Sequence, residues 1–101
     1  MLIVAGSAVV NPDQIAELTA LGETMMKASR AEAGCRDYVF SIEVGAPSKL
    51  RIFEMWTDQA ALDSHFQEPH MAAFQEGLAK LEVQDVKATI YEIAEERVLV
   101  G

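Results

Sequence analysis

The run Leu2–Val10 is apolar or small at every position, and it constrains the fold of this chain more than any other feature. A strand with one solvated face alternates apolar and polar residues, whereas a strand covered on both faces is apolar almost throughout. The run therefore predicts a β-strand that is buried on both sides. The residues that cover it come from the rest of the chain or from a second copy of it.

A helix is predicted to begin directly after this strand. Asn11 is a favoured N-cap residue, Pro12 suits the first helical position, and Gln14 stands at the spacing of a capping box. Asp13 adds a negative charge at the positive end of the helix dipole. The apolar side of the helix is formed by Ile15, Leu18, Met25 and Met26. Gly34 is predicted to end it as a left-handed cap.

The rest of the chain alternates between strand and helix patterns. Strands are predicted over Cys35–Val44, Leu50–Trp56 and Val83–Ala94, a turn over Gly45–Ser48, and helices beginning at Thr57 or Asp58 and at Pro69. The tail Arg97–Gly101 is left open between an irregular end and a short extra strand. The order β-α-β-β-α-β predicts an α+β, ferredoxin-like split βαβ fold, with helices on one face of a four-stranded antiparallel sheet.

The third strand pattern carries large apolar residues on both faces, as the first strand does. Phe53 and Met55 share one face, whereas Leu50, Ile52 and Trp56 share the other. Helices on one side of the sheet leave the second apolar face without cover. The simplest cover is the same sheet of a second copy, which predicts a two-fold homodimer.

Length and composition limit the classes of function. A chain of 101 residues corresponds by length to one domain, 1–101, with one core. No apolar run approaches the roughly 20 residues of a membrane span, and a single cysteine excludes an internal disulfide and fits the cytoplasm. The net charge of −8 argues against nucleic acid and anionic membranes as partners, because both attract clustered Lys and Arg.

Both histidines and the only tryptophan lie close together in the sequence. His65 and His70 fall on predicted helices just after Trp56, which ends the third strand. Histidine changes charge near neutral pH and is the most common general base. His70 lies near a helix N-terminus, which disfavours imidazolium and keeps the ring able to accept a proton. The two histidines are therefore the candidate catalytic residues, with structural hydrogen bonding as the alternative.

Five further residues are candidates for binding a substrate. Trp56 can stack on a planar ring, Tyr38 can bind a substrate oxygen, and Glu54 shares the strand face of Trp56. Glu54 requires a partner if it is buried, with His65, His70 or Arg51 as the candidates. The helices add Phe66 and Phe74. For each aromatic residue, ordinary core packing is the alternative.

The sequence contains no strong motif for binding a metal ion, a nucleotide or another cofactor. Two histidines five residues apart with a proline between them do not match a helical zinc pair. The chain has no glycine-rich phosphate loop and no serine elbow. Cys35 is expected to behave as a small buried hydrophobe. The prediction is a protein without metal or cofactor.

Four segments, in order, resemble the antibiotic biosynthesis monooxygenase superfamily of dimeric α+β barrel proteins, and most closely its quinol-monooxygenase-like members. They are Glu32–Tyr38 (EAGCRDY), Phe53–Trp56 (FEMW), Leu62–His65 (LDSH) and Pro69–Phe74 (PHMAAF). The chain departs from the haem-degrading branch, which uses an asparagine in its first strand, because Leu2–Val10 contains none.

The resemblance implies cofactor-free oxygenation of a small phenol, quinol or anthrone by molecular oxygen. A histidine would remove the substrate proton, and the substrate anion would then reduce oxygen in an apolar pocket. The pocket is expected between helices and sheet, bordered by Trp56, His65, His70 and Phe74. Two other functions remain open: an isomerase acting on a small carbonyl or sugar-phosphate compound, and a non-catalytic ligand-binding dimer.

Overall fold

The computed structural model describes all residues of the chain, Met1–Gly101. The strands are β1 (Leu2–Val10), β2 (Cys35–Ile42), β3 (Lys49–Trp56) and β4 (Val83–Glu92). The helices are α1 (Ile15–Arg30), α2 (Gln59–Phe66) and α3 (Pro69–Leu78), and a 3-10 turn, Pro12–Gln14, precedes α1. The tail beyond β4 forms no strand.

The four strands form one antiparallel sheet in the order β2-β3-β1-β4. This order and the element sequence confirm the predicted ferredoxin-like α+β fold. Leu2 is paired with Trp56 of β3 on one side and with Glu92 of β4 on the other, so β1 is a central strand. Leu2, Val4, Ala8 and Val10 of β1 are buried in the core, whereas Ile3 and Ala5 lie on the opposite face of the sheet and are half-buried.

The core lies between one face of the sheet and the helices. Leu50, Glu54 and Trp56 of β3 point to this face and are buried, whereas Phe53 and Met55 point away and are half-buried. The core has two clusters, one of Leu2, Val4, Met25, Tyr38, Trp56 and Leu62, and the other of Ala8, Val10, Leu18 and Leu50. Tyr38 and Trp56 of the first cluster pack against His65.

Two predictions at the ends of α1 are wrong in detail. The Asn11 side chain does accept the backbone N–H of Asp13, but Gln14 does not complete a capping box. Its Oε1 accepts the backbone N–H of Glu82 instead, 2.8 Å away, and so ties the start of α1 to the segment before β4. Gly34 is not a left-handed cap, because α1 ends at Arg30 and Gly34 has no positive φ.

Close packing against α2, and not helix capping, explains why residue 34 is a glycine. A Cβ on this residue would overlap the Cβ of Ala61 in α2 and would lie 3.1 Å from Oγ1 of Thr57. The carbonyl of Gly34 also accepts the backbone N–H of Thr57 at 2.9 Å. The absence of a side chain at Gly34 therefore lets α2 pack against the start of β2.

The remaining starts and turns agree with local sequence chemistry. Asp58 caps α2 by accepting the backbone N–H of Ala61 at 2.8 Å, and Pro69 occupies the first turn of α3. Gly45 has a φ of 80° in the turn between β2 and β3, a conformation that glycine adopts without strain. None of the helices combines the length and apolar composition that a membrane crossing requires.

Candidate functional site

One carboxylate oxygen joins the two histidines. Glu32 lies in the turn between α1 and β2, and its Oε2 is 2.7 Å from Nδ1 of His65 and 2.8 Å from Nε2 of His70. His65 lies near the end of α2, and His70 is the second residue of α3. A single side-chain atom therefore connects three segments of the chain, and we call these three residues the Glu32 cluster.

The Glu32 cluster fixes which ring nitrogens carry protons. A carboxylate only accepts hydrogen bonds, so Nδ1 of His65 and Nε2 of His70 each donate an N–H to it. In the neutral rings, Nε2 of His65 and Nδ1 of His70 then carry the lone pairs. Nε2 of His65 is buried without a hydrogen-bond partner. The His70 side chain is 19% exposed, so its ring is the more accessible of the two.

Aromatic rings surround His65 on the inner side of the cluster. The centroid of its ring is 4.7 Å from that of Trp56 and 5.4 Å from that of Tyr38. Trp56 and His65 are both completely buried. Nε1 of Trp56 donates a hydrogen bond to Oε1 of Glu54 at 3.0 Å. Trp56 is thus the observed hydrogen-bond partner of Glu54, in place of the three residues considered from the sequence.

Burial keeps the neighbouring acidic groups protonated to higher pH. Burial raises the pKa of the Glu54 carboxyl, and the hydrogen bond from Trp56 opposes this effect only in part. Burial and the nearby charge of Glu54 also raise the pKa of the Tyr38 phenol. Burial and the charge of Glu32 raise the pKa of the Cys35 thiol to about 11. Cys35 is therefore a neutral thiol near pH 7 and is unsuited to act as a nucleophile.

An apolar cavity of about 190 Å³, which we call the main cavity, lies between α1 and the sheet. Larger and more polar surface cavities, of about 420 Å³ on the sheet face without helices and about 350 Å³ beside Glu32, lie elsewhere. Two of the residues that line the main cavity, Phe40 and Phe74, stack on each other, with ring centroids 5.3 Å apart and an angle of 10° between the planes. The other lining residues are Ile15, Leu18, Thr19, Gly22, Glu23, Met26, Ser41, Ile42 and Leu50. A smaller cavity of about 110 Å³ between α1 and α3 shares Phe74 and is lined by His70.

The structure brings most of the predicted site residues together. Tyr38, Glu54, Trp56, His65 and His70 form one contiguous group. Phe74 packs against the core cluster that contains Tyr38 and Trp56, and it lines the main cavity with Phe40 and the smaller cavity with His70. Phe66 is 52% exposed, although its ring centroid is 5.8 Å from that of His65.

Of the four residues expected to border one pocket, only Phe74 lines the main cavity, and His70 lines its smaller neighbour. Trp56 and His65 are packed too tightly against other side chains to face open space. Lys49 and Arg51 alternate with the buried Leu50 and so point to the opposite face of the sheet. Neither basic residue lines the main cavity.

Glu32 is the residue of this site that the sequence did not single out. It belongs to the family-like segment Glu32–Tyr38, but the chain contains sixteen acidic residues and no spacing rule links this one to the histidines. The signal that was available is chemical, because two histidines among apolar residues require an acceptor. The donor atoms of Glu32, His65 and His70 lie within 4.8 Å of one another, so these residues are also a possible metal-binding set.

Comparisons with known proteins agree on a family. Residues 1–77 match the model of the family described as antibiotic biosynthesis monooxygenase. The chain is 38% identical over 98 residues to an uncharacterised protein, sll1783, of Synechocystis, covering 97% of this chain and 67% of that protein. It is 33% identical over 79 residues to the "Putative monooxygenase Rv0793" of Mycobacterium tuberculosis, covering 78% of this chain and 77% of that protein.

Solved structures show the same fold. The crystal structure of a "putative antibiotic biosynthesis monooxygenase" from Deinococcus radiodurans matches with a TM-score of 0.90 and 30% identity over the whole of both chains. The structure of Rv0793 matches with a TM-score of 0.82 and 26% identity, covering 97% of this chain and all of the other.

Proposed function

Because this chain belongs to the antibiotic biosynthesis monooxygenase family, we propose that it is a cofactor-independent monooxygenase of a small phenol, quinol or anthrone. The observation that carries the proposal is the Glu32 cluster, in which one carboxylate orients two histidines. His70 lines a cavity that adjoins the main apolar cavity at Phe74. An oriented base beside an apolar, aromatic-walled space is what this chemistry requires.

The proposed substrate lies in the main cavity. Phe40 and Phe74 are already stacked there, and a third flat ring is accommodated by the same kind of contact. The cavity of about 190 Å³ has room for a small aromatic substrate, and a larger one would displace side chains of its wall. Side chains at the solvent side, such as Ile42, which is 38% exposed, are the ones with room to move.

His70 is the proposed base, because its ring is the more accessible of the two. Glu32 holds Nε2–H, which leaves the lone pair on Nδ1 to accept the phenolic or enolic proton of the substrate. The resulting anion adds molecular oxygen at an electron-rich carbon, and return of the proton gives a hydroperoxide. Loss of water then leaves a new carbonyl, so one oxygen atom enters the product, the other enters water, and the substrate carbon supplies all of the electrons.

The other predicted residues support this base in the proposal. His65 holds the same carboxylate from the buried side, and Trp56 and Tyr38 pack around His65. Glu54, whose pKa is raised by burial, accepts the hydrogen bond of Trp56 beside them. Phe66, half-exposed beside His65, is assigned to the outer rim, where it shields the ring from water.

A homodimer is part of the proposal. Ile3, Phe53 and Met55 lie on the sheet face without helices, and Tyr91 of β4, which is paired with Ile3, lies on the same face and is 53% exposed. A second copy placed on this face would bury these side chains. The area expected for an obligate dimer is roughly 2,000 Å² or more in total.

The alternative functions lack comparable support. An isomerase of a sugar phosphate requires a basic side chain near the substrate, and the main cavity has none. Arg51 and Lys87 line a separate cavity on the sheet face without helices, away from the histidines. A non-catalytic ligand-binding dimer uses the same cavity but does not explain why one carboxylate orients two histidines beside it. Of the three functions, only the oxygenase consumes molecular oxygen.

The test is oxygen uptake with a naphthoquinol and with anthrone, measured with EDTA present and corrected for autoxidation. His70→Ala is expected to lower the rate on the order of 10²–10⁴-fold, the usual loss for a general base. Glu76→Gln, an exposed residue of α3, is the control and should keep the wild-type rate. Circular dichroism and thermal melting check that each variant is folded.

His65→Ala and Glu32→Gln complete the series. In the proposal they orient His70 and do not touch the substrate, so a smaller loss in rate is expected from each. Wild-type rates in both histidine variants would refute a histidine base. Quenching of Trp56 fluorescence measures quinone binding. Quinone binding without oxygen uptake would instead favour the ligand-binding dimer.

A further inference from the structure

The Glu32 cluster presents three donor atoms of the kinds that bind transition metals. Two imidazole nitrogens and a carboxylate oxygen, from three different segments of the chain, lie within 4.8 Å of one another. Imidazole and carboxylate ligands suit zinc, iron, cobalt and nickel in the divalent state. The sequence predicted no metal site, because His65 and His70 alone do not have the spacing of a metal pair and Glu32 was not linked to them.

The distances allow one ion after a small adjustment. A zinc ion lies about 2.0–2.2 Å from nitrogen and oxygen ligands, so two ligand atoms at the tetrahedral angle are about 3.3–3.6 Å apart. The observed nitrogens and oxygen fall within 4.8 Å. His65 is fixed by its complete burial, whereas His70 lies on the first turn of α3 and is 19% exposed. A rotation of the His70 side chain that moves its tip on the order of 1 Å closes the set.

We propose that Glu32, His65 and His70 form a binding site for a divalent transition-metal ion, with zinc as the reference ion. The ion binds Nδ1 of His65, Nε2 of His70 and a carboxylate oxygen of Glu32, and water completes a tetrahedral set. The site replaces the two hydrogen bonds that Glu32 accepts in the metal-free protein.

The site has an entry path and a favourable electrostatic setting. A surface cavity of about 350 Å³ lies directly beside Glu32, and Ser64 and Glu68 also line it. The Glu32 side chain is 12% exposed, so an ion reaches its carboxylate without passing through the core. The net charge of −8 raises the local concentration of cations around the whole chain.

Metal binding changes which nitrogen of each histidine ring carries the proton. In the metal-free cluster the N–H groups point to Glu32, and the other nitrogens carry the lone pairs. An ion requires the lone pairs on Nδ1 of His65 and Nε2 of His70, so the proton of each neutral ring moves to its other nitrogen. His70 then presents an N–H where it presented a lone pair, and it no longer accepts a proton from a substrate. This consequence rests on the proposed function, whereas the site itself does not.

The test uses tag-free protein stripped with a chelator and then titrated with cobalt(II) or zinc(II) alone. Cobalt in a tetrahedral nitrogen and oxygen site should give visible absorption bands at one equivalent per chain. Zinc at about one hundred times its dissociation constant should raise the melting temperature on the order of 10 °C. Glu32→Gln, His65→Gln and His70→Asn should each lose both signals, and Glu76→Gln should keep them.

The outcomes are separable. The absence of cobalt bands and of any zinc-induced shift in the wild-type protein would overturn the site, as would full retention of both signals in His70→Asn and Glu32→Gln. If oxygen uptake is observed, zinc should abolish it in the wild-type protein at the concentration that fills the site. Metal binding without oxygen uptake under any condition keeps the site and refutes the oxygenase. Oxygen uptake that is unaffected at full zinc occupancy refutes the inhibitory consequence.

Discussion

Substitution of Gly34 by alanine tests whether close packing of α2 holds the histidine pair in place. A new Cβ would overlap the Cβ of Ala61, and nonbonded carbons require about 3.5–4.0 Å. The start of β2 and the helix α2 must therefore separate on the order of 1 Å. Overpacking of this kind usually lowers the free energy of unfolding by about 1–3 kcal/mol.

The same displacement acts on the Glu32 cluster. His65 is carried by α2, and its hydrogen bond to Glu32 is 2.7 Å long. A separation on the order of 1 Å moves these atoms beyond hydrogen-bond reach. Gly34→Ala should therefore weaken zinc binding and slow oxygen uptake as well as lower stability, although Gly34 has no side chain in the site.

Urea unfolding followed by circular dichroism measures the loss of stability, and a reciprocal substitution gives the control. Ala61→Gly removes the atom that the new Cβ meets, at a cost of about 1 kcal/mol for glycine in a helix. The Gly34→Ala and Ala61→Gly double variant should be more stable than the sum of the single effects predicts. Gly22→Ala, where the nearest neighbour is 3.4 Å away on Phe40, should not be destabilised. Strict additivity in the double variant, or wild-type stability of Gly34→Ala, would refute the packing argument.

Three further predictions concern protonation, capping and assembly. Because burial raises the pKa of Glu54, its contribution to stability is present below the ordinary value of 4.5 and is lost as pH rises through the folded-state value. The stability of Glu54→Gln relative to wild type should therefore increase with pH in urea unfolding from pH 5 to 8, and a constant difference would contradict the assignment. Asp58→Ala should lower stability by about 1 kcal/mol, because it removes the N-cap of α2, with the exposed Asp63→Ala as comparison. Sedimentation equilibrium at micromolar concentration should give twice the mass of one chain, and a monomer there would exclude the sheet-to-sheet dimer.

The parts of the fold set by local chemistry could be predicted from the sequence. The apolar run Leu2–Val10 predicted β1 with its observed bounds, and Asp58 and Pro69 marked the starts of α2 and α3. Strand ends were less accurate, since β2 stops at Ile42 and β4 at Glu92. A strand ends where its neighbouring strand stops offering hydrogen bonds, and the residues of the strand itself do not determine that point.

Contacts between distant segments could not be predicted. Gln14 has the spacing of a capping box, but its acceptor is used by Glu82, 68 residues further along the chain. Gly34 follows a helix as a C-cap glycine would, but the constraint on it comes from Ala61. Glu32 meets His65 and His70 only after α2 and α3 have folded back on the sheet. The histidines were identified by residue type, whereas their common partner depended on tertiary structure.

The position of β1 has a consequence for folding. Leu2, near one end of the chain, is paired with Glu92, near the other. During synthesis, β1 emerges first and remains an unpaired, almost wholly apolar strand until β3 has been made, and one of its edges stays open until β4 follows. An open apolar edge is a template for pairing with other chains. Conditions that slow the arrival or docking of β4 should therefore favour aggregation through β1, and non-local pairing of this kind also predicts slow folding.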